Sequence, residues 1–140
     1  MAILEQSPRA ALLARPSEAS PVSTGLTIII PAYNEERGIG PVVEKVRDAM
    51  DAADCQYEIL VVDDGSADRT AEVARATGVR VVSHRQNRGY GEALKTGIRH
   101  AGFERIAIID ADGSYPAEQI PEGVGRIARA METVRSKSPA

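Results

Sequence analysis

Cysteine is almost absent from this chain: Cys55 is the single one in 140 residues. An internal disulfide is therefore excluded, and one thiol does not build a zinc site. Cys55 reads as a semi-buried residue at a helix-to-strand junction. Histidine is nearly as scarce. His84 and His100 stand apart, with no Cys or His at ligand spacing, so both read as structural. No apolar stretch approaches the roughly 20 residues that span a bilayer, so no transmembrane segment is expected. The first 25 residues lack the basic start, long apolar core and small-residue cleavage site of a signal peptide. Positive charge is not in excess either. The net charge is −3 and no basic stripe is present, which gives no reason to expect a nucleic-acid partner. A cytoplasmic protein is the expectation.

What remains is ordinary for one soluble globular domain, with 43% apolar and 26% charged residues. Residues 1–25, with Pro8, Pro16, Pro21 and many Ala and Ser, read as a flexible tail. Beyond it, apolar runs alternate with amphipathic segments. A β-branched run over 26–30 ends at Pro31. The spacing of Ile39, Val42, Val43, Val46, Ala49 and Met50 predicts a helix over 37–53. A second strand over 57–62 stops at Asp63-Asp64-Gly65-Ser66. Ser66 or Asp68 can cap the next helix, which runs to about Ala76 and is closed by Gly78. A short strand over 79–83, a helix over 90–101 and a strand over 103–109 follow. Residues 116–134 read as a last helix and 135–140 as a polar tail.

The order is β-α-β-α-β-α-β-α. Strands this apolar are covered on both faces, which predicts a mostly parallel sheet in a three-layer α/β/α sandwich. Such sheets bind ligands outside the carboxyl ends of their strands. Three acidic or polar loops fall there: 31–36, 63–66 and 110–114.

The sharpest of them is Asp110-Ala111-Asp112, at the end of the apolar run 106–109. Two carboxylates so close repel each other unless a cation sits between them. Mg²⁺ and Mn²⁺ take oxygen ligands of this kind, completed by phosphate oxygens. Asp112-Gly113 is also a strong turn signal, and taken alone the two readings stand level. In the first loop, Pro31 fixes the exit from the strand and Tyr33 offers an aromatic face with a hydroxyl. Asn34 and Glu35 either serve a nucleobase and ribose or cap the next helix. Asp63 and Asp64 point opposite ways in extended backbone, so one can meet a base or ribose while the other does structural work. In Asn87-Arg88-Gly89-Tyr90-Gly91 the paired glycines open a helix but match neither a dinucleotide fingerprint nor a P-loop. Arg88 or Lys95 can reach a pyrophosphate, and for Lys95 the binding and structural readings remain open.

Four segments in this order, residues 27–36 (TIIIPAYNEE), 58–70 (EILVVDDGSADRT), 87–97 (NRGYGEALKTG) and 108–116 (IIDADGSYP), resemble the inverting glycosyltransferases of family 2. These have the GT-A fold, and the polyprenyl-phosphate sugar transferases, such as dolichyl-phosphate mannose synthases and related glucosyltransferases, are closest in style. The resemblance covers residues 26–130. It implies a nucleotide diphospho-sugar donor, a GDP- or UDP-sugar, held across the strand ends with Mg²⁺ or Mn²⁺. By position, Pro31, Tyr33 and Glu35 would line the nucleoside pocket and Asp64 would contact the base. Asp110 would serve the ribose or metal side, with Ala111 beside it in the donor site, and Asp112 would be the principal metal ligand and catalytic residue. The acceptor implied is a polyprenyl phosphate, which would bring a cytoplasmic protein to the membrane surface.

Two departures accompany it. Ser114 stands where the relatives often have a metal-assisting Gln. The family's acceptor half would follow residue 134, whereas here a polar tail follows, so 26–134 is expected as an incomplete donor-binding domain. Its sheet would have an open edge inviting a partner chain. A nucleotide-sugar-binding module without turnover is the alternative reading. A phospho-acceptor receiver domain also carries an acidic pair at strand ends, but Asp110 and Lys95 fit its order poorly.

Overall fold

The computed structural model describes residues 2–5, 25–53 and 55–113. In chain order the elements are β1 (Ala2–Glu5), β2 (Leu26–Ala32), α1 (Ile39–Ala52), β3 (Tyr57–Asp63), α2 (Thr70–Ala76), β4 (Arg80–Ser83), α3 (Tyr90–His100) and β5 (Arg105–Ile108). The strands form a five-stranded sheet in the order β1-β5-β2-β3-β4. β5, β2, β3 and β4 run parallel, and β1 is antiparallel to β5.

The uninterrupted apolar runs follow from burial on both faces. Alternate residues of a strand point to opposite sides. Leu26, Ile28, Ile30, Ile59 and Val61 meet Ile39, Val42, Val43, Val46 and Met50 of α1, with Ala74 of α2. Ile29, Leu60, Val62, Ile106 and Ile108 form the second layer beneath Ala93 of α3, with Leu94 and Ile98 packed against it. The expected three-layer sandwich is therefore present, with α1 and α2 on one face and α3 on the other.

Pro31 does not end its strand: β2 runs on to Ala32. The reason lies in the ladder. Ile109 N donates to Ile29 O at 3.0 Å, so the backbone of Ile29 faces β5. Pro31, two residues on, faces the same side, where β5 has already stopped at Ile108. Its missing N–H therefore costs no ladder bond.

The expectation of a tail over 1–25 is corrected at its start. Ala2–Glu5 pairs in register with β5, from Ala2 opposite Ile108 to Glu5 opposite Arg105. An unpaired edge exposes a row of backbone donors and acceptors, and β1 satisfies those of β5. The edge of β5 is thus covered by the chain itself. The expected helix over 116–134, Ser114 and the tail over 135–140 lie outside the described residues.

One side chain ties the amino ends of four segments together. Glu58 accepts hydrogen bonds from Thr27 Oγ1 at 2.7 Å, from Arg80 Nη1 at 2.8 Å and from Gly102 N. It thereby joins β2, β3, β4 and the turn leading into β5. Charge-assisted bonds of this kind are the strong ones. Replacing Glu58 by Ala is expected to lower unfolding free energy by about 2 kcal/mol. Urea denaturation checks this, and an unchanged midpoint would show that the clamp contributes nothing.

Candidate functional site

At the carboxyl edge, the loops after β2 and β3 are laced together before any ligand arrives. Asn34 adopts a left-handed backbone at φ 54°, a conformation that Asn tolerates better than most residues. Its N–H donates to Ser66 Oγ at 2.9 Å, and its own Oδ1 accepts from Ala67 N at 2.8 Å. Glu35 N donates to Thr70 Oγ1 at 2.8 Å, and Glu36 N donates to Asp68 Oδ2 at 3.3 Å. Asp68 also accepts from Thr70 N, at the first residue of α2, at 3.0 Å. The hydrogen bond from the Thr70 hydroxyl holds its carboxyl below the usual range. Neither Asn34 nor Glu35 caps α1 with its side chain. The backbone carbonyl of Glu35 does that work, accepting from Ile39 N at 2.9 Å. With these groups spent on the loops, Tyr33 is left 49% exposed, and Glu35 is half-buried.

The two carboxylates at the end of β3 have different partners, and both are engaged by donors of the chain itself. Asp63 Oδ1 accepts from Ser66 N at 3.1 Å and closes the turn. Asp64, 4% exposed, is surrounded by donors. Its Oδ1 meets His84 Nδ1 at 2.8 Å and Arg88 N at 2.9 Å. Its Oδ2 accepts from Gly89 N at 2.9 Å and Asn87 Nδ2 at 3.1 Å. Burial by itself raises the Asp64 carboxyl, but the bonds from His84, Arg88 and Gly89 outweigh it and hold it below the ordinary value. The other nitrogen of His84 lies 2.8 Å from Thr96 Oγ1 on α3. The expected contact of Asp64 with a base therefore finds both its oxygens engaged within the chain.

Gly65 makes this arrangement possible. It sits at φ 73°, and a Cβ there would lie 2.3 Å from the carbonyl carbon of Gln86 and 2.4 Å from Asn87 N. The backbone of 86–87 passes directly over it, a closer need than a capped turn alone would impose.

The loop after β5 stands beside the loop after β2. Gly113 N donates to Asp110 O at 3.4 Å, so the turn signalled by Asp112-Gly113 does form. Ala111 is 4% exposed while Asp110 and Asp112 face solvent. Gly38 packs beneath them: a Cβ on it would come within 2.9 Å of Ala111 O and 3.2 Å of Glu35 Oε2. Glu35 and Ala111, expected in one donor site, are thus neighbours. The Tyr90 hydroxyl, at the start of α3, donates to Asp110 Oδ1 at 3.4 Å. Burial and then the Asp110 charge push its pKa above the ordinary tyrosine value. Lys95 and Arg88 both lean on Glu92, at 3.6 Å and 3.8 Å. Pro31 is buried at the end of β2.

Among the described residues, no group of three or more His, Cys, Asp or Glu side chains is placed to hold a metal by itself. Two exposed carboxylates at one strand end fit a hard cation whose remaining ligands come from phosphate. His84, Asn87, Tyr90 and Thr96 were not singled out as site residues from the sequence. His84 stands beside Asp64 because Asp63 pairs with Ser83 in the β3–β4 register, a pairing the sequence does not display.

Comparison with known proteins gives this edge a context. The profile described as Glycosyl transferase family 2 matches residues 27–134. The undecaprenyl-phosphate 4-deoxy-4-formamido-L-arabinose transferase of Edwardsiella ictaluri is 38% identical over 115 residues, 78% of this chain and 35% of that protein. The chain spans about a third of the length of the curated relatives it matches. Among solved structures, a mycobacterial protein superposes with a TM-score of 0.65 at 27% identity, covering 76% of this chain and 38% of that one. The glucosyl-3-phosphoglycerate synthase of Mycobacterium tuberculosis, in complex with Mn²⁺, UDP-glucose and phosphoglyceric acid, superposes at 0.56 with 31% identity. It covers 67% of this chain and 35% of its own.

Because folding lowers the Asp64 carboxyl, its contribution to stability is complete above the unfolded value of about 3.9 and is lost as pH falls through the folded value. Asp64→Asn is expected to flatten the acid limb of the stability curve below about pH 4. Urea denaturation from acid to neutral pH measures this, and parallel acid limbs for the two proteins would remove Asp64 as the cause.

Proposed function

The chain belongs to glycosyl transferase family 2, and from that membership we propose that it binds a nucleotide diphospho-sugar with Mg²⁺ or Mn²⁺ and transfers the sugar, with inversion, to a polyprenyl phosphate. The observation that carries this reading is the outward-facing pair Asp110 and Asp112, set against the Glu35–Gly38 loop at the carboxyl edge of a GT-A type sheet. Pro31, Tyr33 and Glu35 line the nucleoside side. Asp110, with Ala111 beside it, serves the ribose and metal side, and Asp112 is the principal ligand. Lys95, one turn into α3, offers its charge to the pyrophosphate by exchanging its exposed partner Glu92.

A bound divalent ion would supply charge neutralisation for the nucleoside diphosphate that departs. The acceptor phosphate oxygen forms its bond to C1 from the face opposite the departing group. The C1–O bond to the diphosphate breaks, and its electron pair leaves with that group. A phosphate oxyanion is already nucleophilic, so no strong protein base is required. A lipid-linked acceptor places the reaction at the cytoplasmic membrane surface, and no helix among the described residues is long and apolar enough to cross a membrane. The transferase named for Edwardsiella supports the lipid phosphate, and the Mn²⁺ complex of the synthase supports the metal and uridine nucleotide.

Calorimetric titration with GDP-mannose, UDP-glucose, GDP and UDP, with and without Mn²⁺, tests the reading. One donor is expected to bind in a metal-dependent manner; no binding by the folded chain would reject the site. Asp112→Asn is expected to weaken metal-dependent binding by more than about tenfold, a loss already usual for the outer partner of a metal ligand. The fold should survive, and metal dependence equal to that of the unsubstituted chain would reject the ligand role.

A further inference from the structure

α3 lies close to the sheet along a line of small side chains. Ala93 is buried in the layer that holds Ile29 and Leu60. A Cβ on Gly97 would come within 2.7 Å of Ile29 Cγ2, so the helix stands nearer to Ile29 than a side chain there would permit. Tyr90 falls three residues before Ala93 and seven before Gly97, on the same face of the helix. It is also the first residue of α3, so the face that seats the helix on β2 ends in an aromatic ring outside the apolar layer. That residue is 57% exposed, and Tyr33 and Tyr90 are the large hydrophobic side chains left exposed among the described residues. The Tyr90 hydroxyl meets Asp110 Oδ1 at 3.4 Å, and an ionised carboxylate only accepts, so the phenol is the donor. Both ends of this contact share one support. Ile29, beneath Gly97, accepts from Ile109 N at 3.0 Å, and Ile109 is the residue before Asp110.

We propose that Tyr90 is a positioning residue for Asp110: its hydroxyl holds one carboxylate oxygen and leaves the other for the divalent ion. The inference rests on the proposed reading of Asp110 and Asp112 as the metal side of the site. An exposed carboxylate turns about its side-chain bonds, and ordering it on binding costs free energy. A hydrogen bond to one oxygen selects an orientation before the ion arrives, as the outer partners of metal ligands do. The ring is the arm that carries the hydroxyl from α3 to the loop after β5.

The test titrates the full 140-residue chain with Mn²⁺ in the presence of UDP or GDP, read by electron paramagnetic resonance. Tyr90→Phe keeps the ring of an exposed residue and removes only its hydroxyl. It is expected to weaken Mn²⁺ binding about tenfold. Tyr90→Ala should weaken it equally. A loss in Tyr90→Ala with none in Tyr90→Phe would give the role to the ring and overturn the proposal. In an Asp110→Ala background, Tyr90→Phe should add no further loss, because both changes act on one contact. Losses that multiply would overturn the proposal as well. Nucleotide binding in EDTA should be the same for Tyr90→Phe as for the unsubstituted chain, which separates orientation of the ligand from damage to the fold. An equal loss there would count against positioning and overturn it. Failure of the underlying reading shows separately: the unsubstituted chain would then bind Mn²⁺ no better with nucleotide than without, and the proposal would fall with it.

Discussion

A charge buried at the end of β3 organises the carboxyl edge of this protein. Removing a carboxylate from water is costly unless hydrogen bonds replace its hydration. Asp64 finds that replacement in His84 beyond β4, in the side chain of Asn87, and in two successive backbone N–H groups that open α3. The loop after β3, the residue after β4 and the start of α3 are therefore one unit. His84 extends the unit to Thr96, one and a half turns into the helix. An alternative position for the 87–91 segment would strand the carboxylate, so the turn is held by the cost of leaving it.

The sheet supplies the second constraint. From β2 the chain crosses by α1 to β3 and by α2 to β4 on one side, then returns by α3 on the opposite face to β5 on the other side of β2. The strand order reverses between β2 and β5, the switch point at which sheets of this kind bind ligands. Glu35 and Ala111 meet across it at Gly38, which has no side chain to keep them apart. Asp110 and Asp112 stand at its rim with Tyr33 and Tyr90 exposed nearby. The winding of the sheet makes this the place for a ligand, and the carboxylates determine what kind of ligand suits it.

Much of this was legible in the chain. The apolar run over 26–30 and the periodicity over 37–53 mark β2 and α1 because burial on both faces, or on one, leaves those patterns. β3, β4, α3 and β5 fall within a few residues of their expected bounds for the same reason. β1 was not legible: four residues carry too little pattern to mark a strand, and its pairing depends on an edge that exists only once β5 is in place. Pro31 read as a stop because its missing donor matters only relative to a neighbouring strand that has already ended. Asn34 and Ser66, read as cap candidates, turned out to bind one another's loops across 32 residues of sequence.

By itself the sequence determined the order of the elements from β2 to β5, the three-layer sandwich, the family, and the three loops that carry the polar chemistry. Those properties rest on local periodicity and on which residue types stand at strand ends, both of which survive in one dimension. Only the tertiary structure decided how the acidic residues divide their work. Asp63, Asp64, Asp110 and Asp112 are equivalent as letters, but burial and donors separate them. Asp64 is enclosed by segments 20 to 25 residues away, while Asp110 and Asp112 face solvent. The role of a carboxylate depends on the water and hydrogen-bond donors around it, and these are set by contacts between distant parts of the chain.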